Sequence, residues 1–236
     1  MTNSPLPLDR KRNKGHEQRE NMARWQEIIN SDIMGAHAAW YQRGRTGPGR
    51  LVLTDKELID ARLGGEMFKG ARFTRCSFHS TNTVLASIEE TEWRDCKLTK
   101  SQLDTSFFDG SIISGCTFHL CRLMGVGFDH CRVEKCNFDE SNIGRTIWRD
   151  AEATACSFRK NVCWQASFRG GTFIDCDFRN AELDESKVDE ARFIGCDFRN
   201  ANIKDLVLDG GTFEQCNFHG VAGTPRLSRA VTFVDC

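Results

Sequence analysis

From Cys176 to Asp205 the chain reads CDFRN AELDE SKVDE ARFIG CDFRN ANIKD. Cut into fives, its third residue is always large and apolar: Phe178, Leu183, Val188, Phe193, Phe198, Ile203. Its first is always small: Cys176, Ala181, Ser186, Ala191, Cys196, Ala201. Carried outward, the large series runs in one phase from Leu53 to Phe233, and only Thr83, Ala153, Cys163, Gly223 and Ser228 depart from it. The small series, two residues earlier, runs from Ala71 to Val221 with Asn161 and Leu206 as its exceptions. No insertion breaks the phase.

A period of five belongs to neither a helix nor a flat strand, whose periods are 3.6 and 2. A short period with fixed large and small positions describes a solenoid, in which each repeat buries its apolar residues by stacking on its neighbours. A second period gives the cross-section. Cys76, Cys96, Cys116, Cys136, Cys156, Cys176, Cys196, Cys216 and Cys236 lie twenty apart, and so do Phe118, Phe138, Phe158, Phe178, Phe198 and Phe218. Four fives make one coil with four short sides, and equivalent residues stack in columns ~4.8 Å apart. The fold expected is an all-β solenoid, a four-sided β-helix of about nine 20-residue coils, ~45 Å long.

These repeats resemble the pentapeptide-repeat proteins. The family's motif is a small residue, then Asn or Asp, then Leu or Phe, then two polar residues, and Cys176–Asn180 and Ala201–Asp205 match it as they stand. The resemblance implies a right-handed helix with the large residue and the small one before it both pointing inward. Some members of the family look like DNA, bind type II topoisomerases such as gyrase, and protect them from poisons.

Composition agrees with a rod. A hydrophobic fraction of 39% is low for a globular core but suits a coil in which two of five residues face inward. No apolar run approaches the ~18 residues of a membrane span, and Met1 to Glu20 lacks an apolar signal-peptide core, so a cytoplasmic protein is expected. Of the 12 cysteines, all but Cys163 occupy the small inward position, without a Cys-x-x-Cys pair. They are expected to be reduced core thiols, with Cys236 the exception.

The domain organisation expected is a disordered tail over 1–16, a helical cap with linker over 17–50, and the β-helix over 51–236. The basic run Arg10, Lys11, Arg12 and Lys14 lacks interleaved aromatics, so no direct nucleic-acid binding is expected. Met22, Trp25, Ile29, Ile33, Ala36 and Trp40 line one helical face, with a break at Ser31 or Gly35, and that face is expected to cover the open first coil. Arg43 to Arg50 is turn-rich but lacks the Gly-Lys-Ser/Thr ending of a phosphate loop. Leu53 to Phe68 is expected to form irregular first sides, because Lys56 and Glu66 stand where small residues belong. Thr83 predicts a distorted side or a bulge. Gly70, Gly110, Gly115, Gly125, Gly170, Asn180, Gly195, Asn200, Gly210 and Gly220 close their repeats, which places a positive φ at those corners. The large position is lost at Gly223, within Gly223-Thr224-Pro225. Phe233 restores it without a capping helix after it, and a head-to-head homodimer is expected there.

No catalytic site is legible, and no enzyme, cofactor or metal is expected. His79, His119 and His219 share one column as exposed corner residues, but His79 and His119 are two coils apart, ~10 Å, too far to share an ion. The exterior is left for recognition of a protein partner. Up to Arg50 the formal charge is +4 and beyond it −5. The negative charge gathers on one side, in Glu89, Glu90, Asp109, Asp129, Asp150, Asp189, Glu190 and Asp209, interrupted by Arg149 and Arg169. This side suits a DNA-mimicking contact with a type II topoisomerase. The alternative is an adaptor that docks through the outward apolar residues Phe107, Met124, Ile147, Val162 and Trp164.

Overall fold

Adding twenty to a residue number moves one coil along the rod, and the hydrogen bonds follow that arithmetic. In the computed structural model, which describes residues 17, 19–21, 23–226 and 229–236, Val52 pairs with Arg72, Arg72 with Glu92 and Glu92 with Ile112, all in parallel. The tail expected over 1–16, Met22 and Ser228 lie outside the described residues. Wall 1, holding residues 71–75 and their equivalents, carries ten strands from Val52–Thr54 to Thr232–Val234 in one sheet. Wall 2, from 76–80, carries four strands from Glu57–Ile59 to Thr117–His119. Walls 3 and 4, from 81–85 and 86–90, are joined by single bridges such as Asn82↔Gln102 and Phe107↔Gly127. The result is a four-sided parallel β-solenoid of about nine turns.

The large residues fill the axis as columns. Phe118, Phe138, Phe158, Phe178, Phe198 and Phe218 stack with ring centroids 4.7 to 5.1 Å apart and planes within 6° of parallel. The coil spacing therefore sets the ring spacing, and neighbouring columns meet edge to face, as Phe178 and Phe193 do at 5.9 Å. The small residues do more than fill space. Most of the Ser and Cys among them donate to the main-chain carbonyl of the large residue twenty-three positions earlier, while Thr91 and Thr146 donate to the carbonyl three positions earlier. Ser101 reaches Phe78 O at 3.3 Å, Cys131 reaches Phe108 O at 3.0 Å and Cys196 reaches Phe173 O at 3.3 Å. Ser, Thr and Cys are tolerated at these buried positions because each finds an acceptor oxygen nearby. All twelve cysteines are free, and Cys236 is the exposed one. Burial pushes the Cys121 and Cys131 thiols up to about 12, which leaves them unreactive at neutral pH.

Two expected irregularities are absent. Thr83 is inward and buried, and its wall keeps register through Arg62↔Asn82↔Gln102, so there is neither bulge nor distortion. Threonine is simply a short occupant of a large position. The sides from Leu53 to Phe68 are also regular, Glu57 pairing with Ser77 and Met67 with Ser87. Lys56 and Glu66 fit because they lie on the rim of the first coil, where Lys56 is exposed.

The corners depart from expectation in the other direction. Positive φ occurs at the expected glycines, for example Gly110 at 68° and Gly195 at 63°. It also occurs at Arg75, Leu85, Lys100, Leu120 and Lys135, with φ of 50–60°. The ladder imposes the left-handed corner on whatever residue stands there. Leu85 is 64% exposed, so its side chain contributes little to offset the backbone strain. Leu85→Asn is expected to stabilise the rod by up to about 1 kcal/mol, because Asn enters the left-handed region more readily; a urea midpoint that falls would contradict this.

The N-terminal helices break at Ile29–Asn30 rather than at Ser31 or Gly35. Asn30 is extended (φ −124°), and its side chain accepts from the N–H groups of Asp32 and Ile33, starting helix α1, Ser31–Gln42. Gly35 lies within α1 without interrupting it. Ile29 and Trp40 are buried in the core, and Trp25, Ile28, Ile33 and Met34 pack against it, so the apolar face covers the first coil. Gly70 (φ 73°) admits the Trp40 ring, since a Cβ there would come within 3.2 Å of it. Among the described residues no helix is long and apolar enough to cross a membrane.

His37, fully buried in α1, joins helix to rod. Its Nδ1 accepts from the Leu51 N–H at 3.0 Å, and its ring stacks on Trp40. Burial lowers its pKa from 6.5; the carbonyls of Phe68 and Lys69 oppose the shift and the nearby Arg50 charge adds to it. The unfolded imidazole takes its proton near 6.5, while the folded one resists it. The stabilisation is therefore complete above that pH and is lost as pH falls toward the depressed folded value. Acidifying from pH 7.5 to 5 is expected to raise hydrogen exchange across α1, corrected for intrinsic rates. His37→Gln, whose amide oxygen can accept from Leu51 at any pH, is expected to flatten that dependence.

Candidate protein-docking surface

The interior is largely apolar. Phe, Trp, Leu and Ile fill it, and among the described residues no group of His, Cys, Asp and Glu could hold a metal ion. His79 and His119 are half-buried at the ends of strands Ser77–His79 and Thr117–His119 rather than exposed at corners, while His219 is exposed. An apolar cavity of about 430 Å³ opens at the last coil, lined by Phe198, Ile203, Phe213, Phe218, Val221 and Phe233 among others. Phe233 stacks there on Phe213 at 5.2 Å and stays 54% exposed.

The eight carboxylates expected on the acidic side all lie on wall 4, but most are engaged. Glu89 accepts from Ser87 and pairs with Lys69 at 3.2 Å, and Glu90 pairs with Arg45 of the linker. Asp109 accepts the Asp129 N–H at 3.0 Å, and Asp129 accepts the Arg149 N–H at 3.0 Å. Each of these carboxylates leans onto the backbone of the following coil. Burial pushes the Asp109 carboxyl up; the Asp129 N–H opposes this, and the charges of Asp129 and Glu89 add to it. Asp150 lies 4.0 Å from His130, and Glu190 lies 3.8 Å from Arg169. Asp189 and Asp209 continue the column at the far end, and Oδ1 of Asp189 is buried without a partner. The wall is a set of local pairs rather than a file of free charges.

The five apolar candidates lie on two adjoining walls. Phe107 and Ile147 flank Gly127 on wall 4, one coil to each side. Met124 and Trp164 flank Gly144 in the same way on wall 3, with Val162 beside Trp164. Gly125 is the corner between the two walls. Phe107, Ile147 and Val162 are exposed, and Met124 and Trp164 are half-buried. The Arg145 guanidinium lies over the Trp164 ring at 4.6 Å, holding the indole against the wall. Sequence position had placed these side chains outward; it had not shown that Met124 and Trp164 are half-buried while the other three are exposed.

The model of the "Pentapeptide repeat region" family matches residues 146–222. Over those residues the chain carries pentapeptide repeats, set within the four-sided β-solenoid. This repeat fold is shared with HetL, a pentapeptide-repeat protein involved in heterocyst differentiation regulation from the cyanobacterium Nostoc sp. strain PCC 7120. HetL is 13% identical, with 81% of this chain and 92% of that one covered, at a TM-score of 0.54. A structure of QnrB1, a plasmid-mediated fluoroquinolone resistance protein, is 19% identical, with 74% of this chain and 92% of that one covered, at a TM-score of 0.45. No curated protein sequence matches the chain. At such identities the likeness is one of fold, and function has to be argued from the outer walls of the rod.

Proposed function

We propose that the protein is a non-catalytic, cytoplasmic scaffold that binds another protein through the outside of its rod. The observation that carries this reading is the apolar edge formed by Phe107, Met124, Ile147, Val162 and Trp164 around Gly125, Gly127 and Gly144. Apolar side chains fixed on a rigid wall bind without ordering cost, and desolvating them supplies the affinity. The test is capture of a discrete cellular protein by the immobilised rod. Trp164→Ala is expected to abolish capture without lowering the melting temperature, and capture should change little with salt. Unchanged capture by Trp164→Ala would remove this edge from the function.

A second reading keeps the acidic wall as the contact and a type II topoisomerase as the partner. Asp189, Glu190 and Asp209 support it, as a cluster on the far coils whose one cation contact among the described residues, Glu190 with Arg169, is 3.8 Å long. A supercoiling assay with gyrase and a fluoroquinolone tests it. Protection at stoichiometric protein, weakened by salt and by Asp109→Lys with Asp129→Lys, is expected on this reading. Absence of protection ends it. In either case a second copy is proposed to pair through the apolar opening at the last coil. Phe233→Asp is then expected to shift a dimer to a monomer in sedimentation.

A further inference from the structure

The outward row that follows the corner of wall 4 runs Met67, Ser87, Phe107, Gly127, Ile147, Ser167, each bridged to the next. Large and small residues alternate. Met67, Phe107 and Ile147 stand 47%, 45% and 39% exposed as ridges, and Ser87, Gly127 and Ser167 lie between or beyond them as notches. Ridges recur every second coil, ~9.6 Å. Seven residues of α-helix advance ~10.5 Å. A helix lying along the rod would therefore present side chains seven apart to successive notches. Met67 to Ser167 is five coil steps, ~24 Å, the length of about sixteen helical residues.

A column of charge runs beside the ridges. Glu89, Asp109 and Asp129 lie two residues on from Ser87, Phe107 and Gly127, ~6.6 Å along the wall. Lys69 holds Glu89, and Arg149 approaches Asp129, but Asp109 between them has no salt bridge among the described residues. A Cβ on Gly127 would come within 2.6 Å of Asp109 Oδ1, so this carboxylate lies over the buried Gly127 and occupies the central notch. A cation brought there would relieve the repulsion of three stacked carboxylates.

We propose that this strip docks an amphipathic α-helix of a partner protein, with apolar side chains seated at Ser87 and Ser167 and, between them, a Lys or Arg meeting Asp109 over Gly127. The proposal rests on the scaffold reading and names the chemistry of the partner. The probe is a synthetic helical peptide of about twenty residues with two Leu about fourteen positions apart, a Lys midway between them and Lys on the flanks. Its twin carries Glu for Lys. By fluorescence anisotropy the Lys peptide is expected to bind about tenfold tighter than the twin. Phe107→Ala with Ile147→Ala is expected to weaken it about tenfold. Ser87→Leu with Ser167→Leu fills two notches and is expected to weaken it similarly, although it adds apolar surface. Melting temperatures establish that each variant is folded, and all four positions are at the surface. No binding of the Lys peptide, or equal or tighter binding by the notch-filled variant, overturns the proposal. If that occurs while Trp164→Ala still abolishes capture of the cellular protein, the helix proposal falls and the scaffold stands.

Discussion

Trp148→Ala is expected to lower the stability of the rod by about 3–5 kcal/mol, the usual cost of emptying a buried aromatic site. Trp148 is the largest fully buried side chain. It stacks on Phe128 at 4.2 Å and meets the edges of Phe138, Phe158 and Phe173 at 5.7 to 6.1 Å. Its indole N–H donates to Thr146 Oγ1 at 3.0 Å, which in turn donates to Ile143 O at 2.7 Å. Alanine would leave a cavity between columns whose spacing is fixed by the coil, so the site cannot collapse. Ala153 makes the argument sharper. It stands in the large series between Val133 and Phe173, and the indole reaches Phe173 past it. One oversized residue is matched by one undersized neighbour. Trp148→Leu and Ala153→Leu should each destabilise, and the double variant should lose less than their sum by about 1 kcal/mol or more. Urea denaturation at fixed protein concentration gives all four values; strict additivity would mean that the two sites do not share space.

The same pair shows where the sequence was legible and where it was not. The fives and twenties specify the coil because inward residues must recur at the same place on every wall. Leu53, Phe178 and Cys196 all stand where counting puts them. Ala153 read as a fault because counting registers position and not volume. Thr-x-Trp occurs twice, at Thr91–Trp93 and Thr146–Trp148, and in both cases the threonine takes the indole N–H. That signal was present, but a small residue two before a large one already had a reason to exist. The corner at Leu85 was illegible for another reason: leucine does not prefer positive φ, and the ladder overrides it. His37 lay on the helical face without belonging to its apolar stripe, and only its acceptor role toward Leu51 explains its burial.

The outer walls were legible in part. Adding twenty finds ion pairs such as Asp55–Arg75 at 2.7 Å and Asp139–Arg159. It does not find that Asp109 and Asp129 turn onto the backbone of the next coil, which removes them from a free charge array. Surface function in a solenoid depends on such neighbours across coils, since the walls themselves are flat and nearly identical.

Gly171→Ala is expected to destabilise by about 1–3 kcal/mol, while Gly211→Ala, two coils along the same inward column, is expected to be neutral or to stabilise by up to about 1 kcal/mol. Neither glycine has a positive φ, so space decides the sign. At Gly171 a new Cβ would lie 2.9 Å from the Phe173 ring, 3.0 Å from Trp148 O and 3.1 Å from Phe168 O. Two of these are backbone atoms held in the ladder. The ring is fixed as well, stacked on Phe193 at 5.0 Å and set edge to face against Phe168 and Phe178. At Gly211 the nearest atoms are Val188 O at 3.3 Å and the Phe213 ring at 3.5 Å, a contact that a shift of a few tenths of an ångström relieves. Phe213 lies nearer the open last coil, beside the apolar cavity, where it has room to move. There the methyl group would also lower the entropy of the unfolded chain. The comparison isolates what Trp148 imposes on its surroundings. Urea midpoints that move together for both variants would show that the column, and not the packing around Trp148, sets the need for glycine.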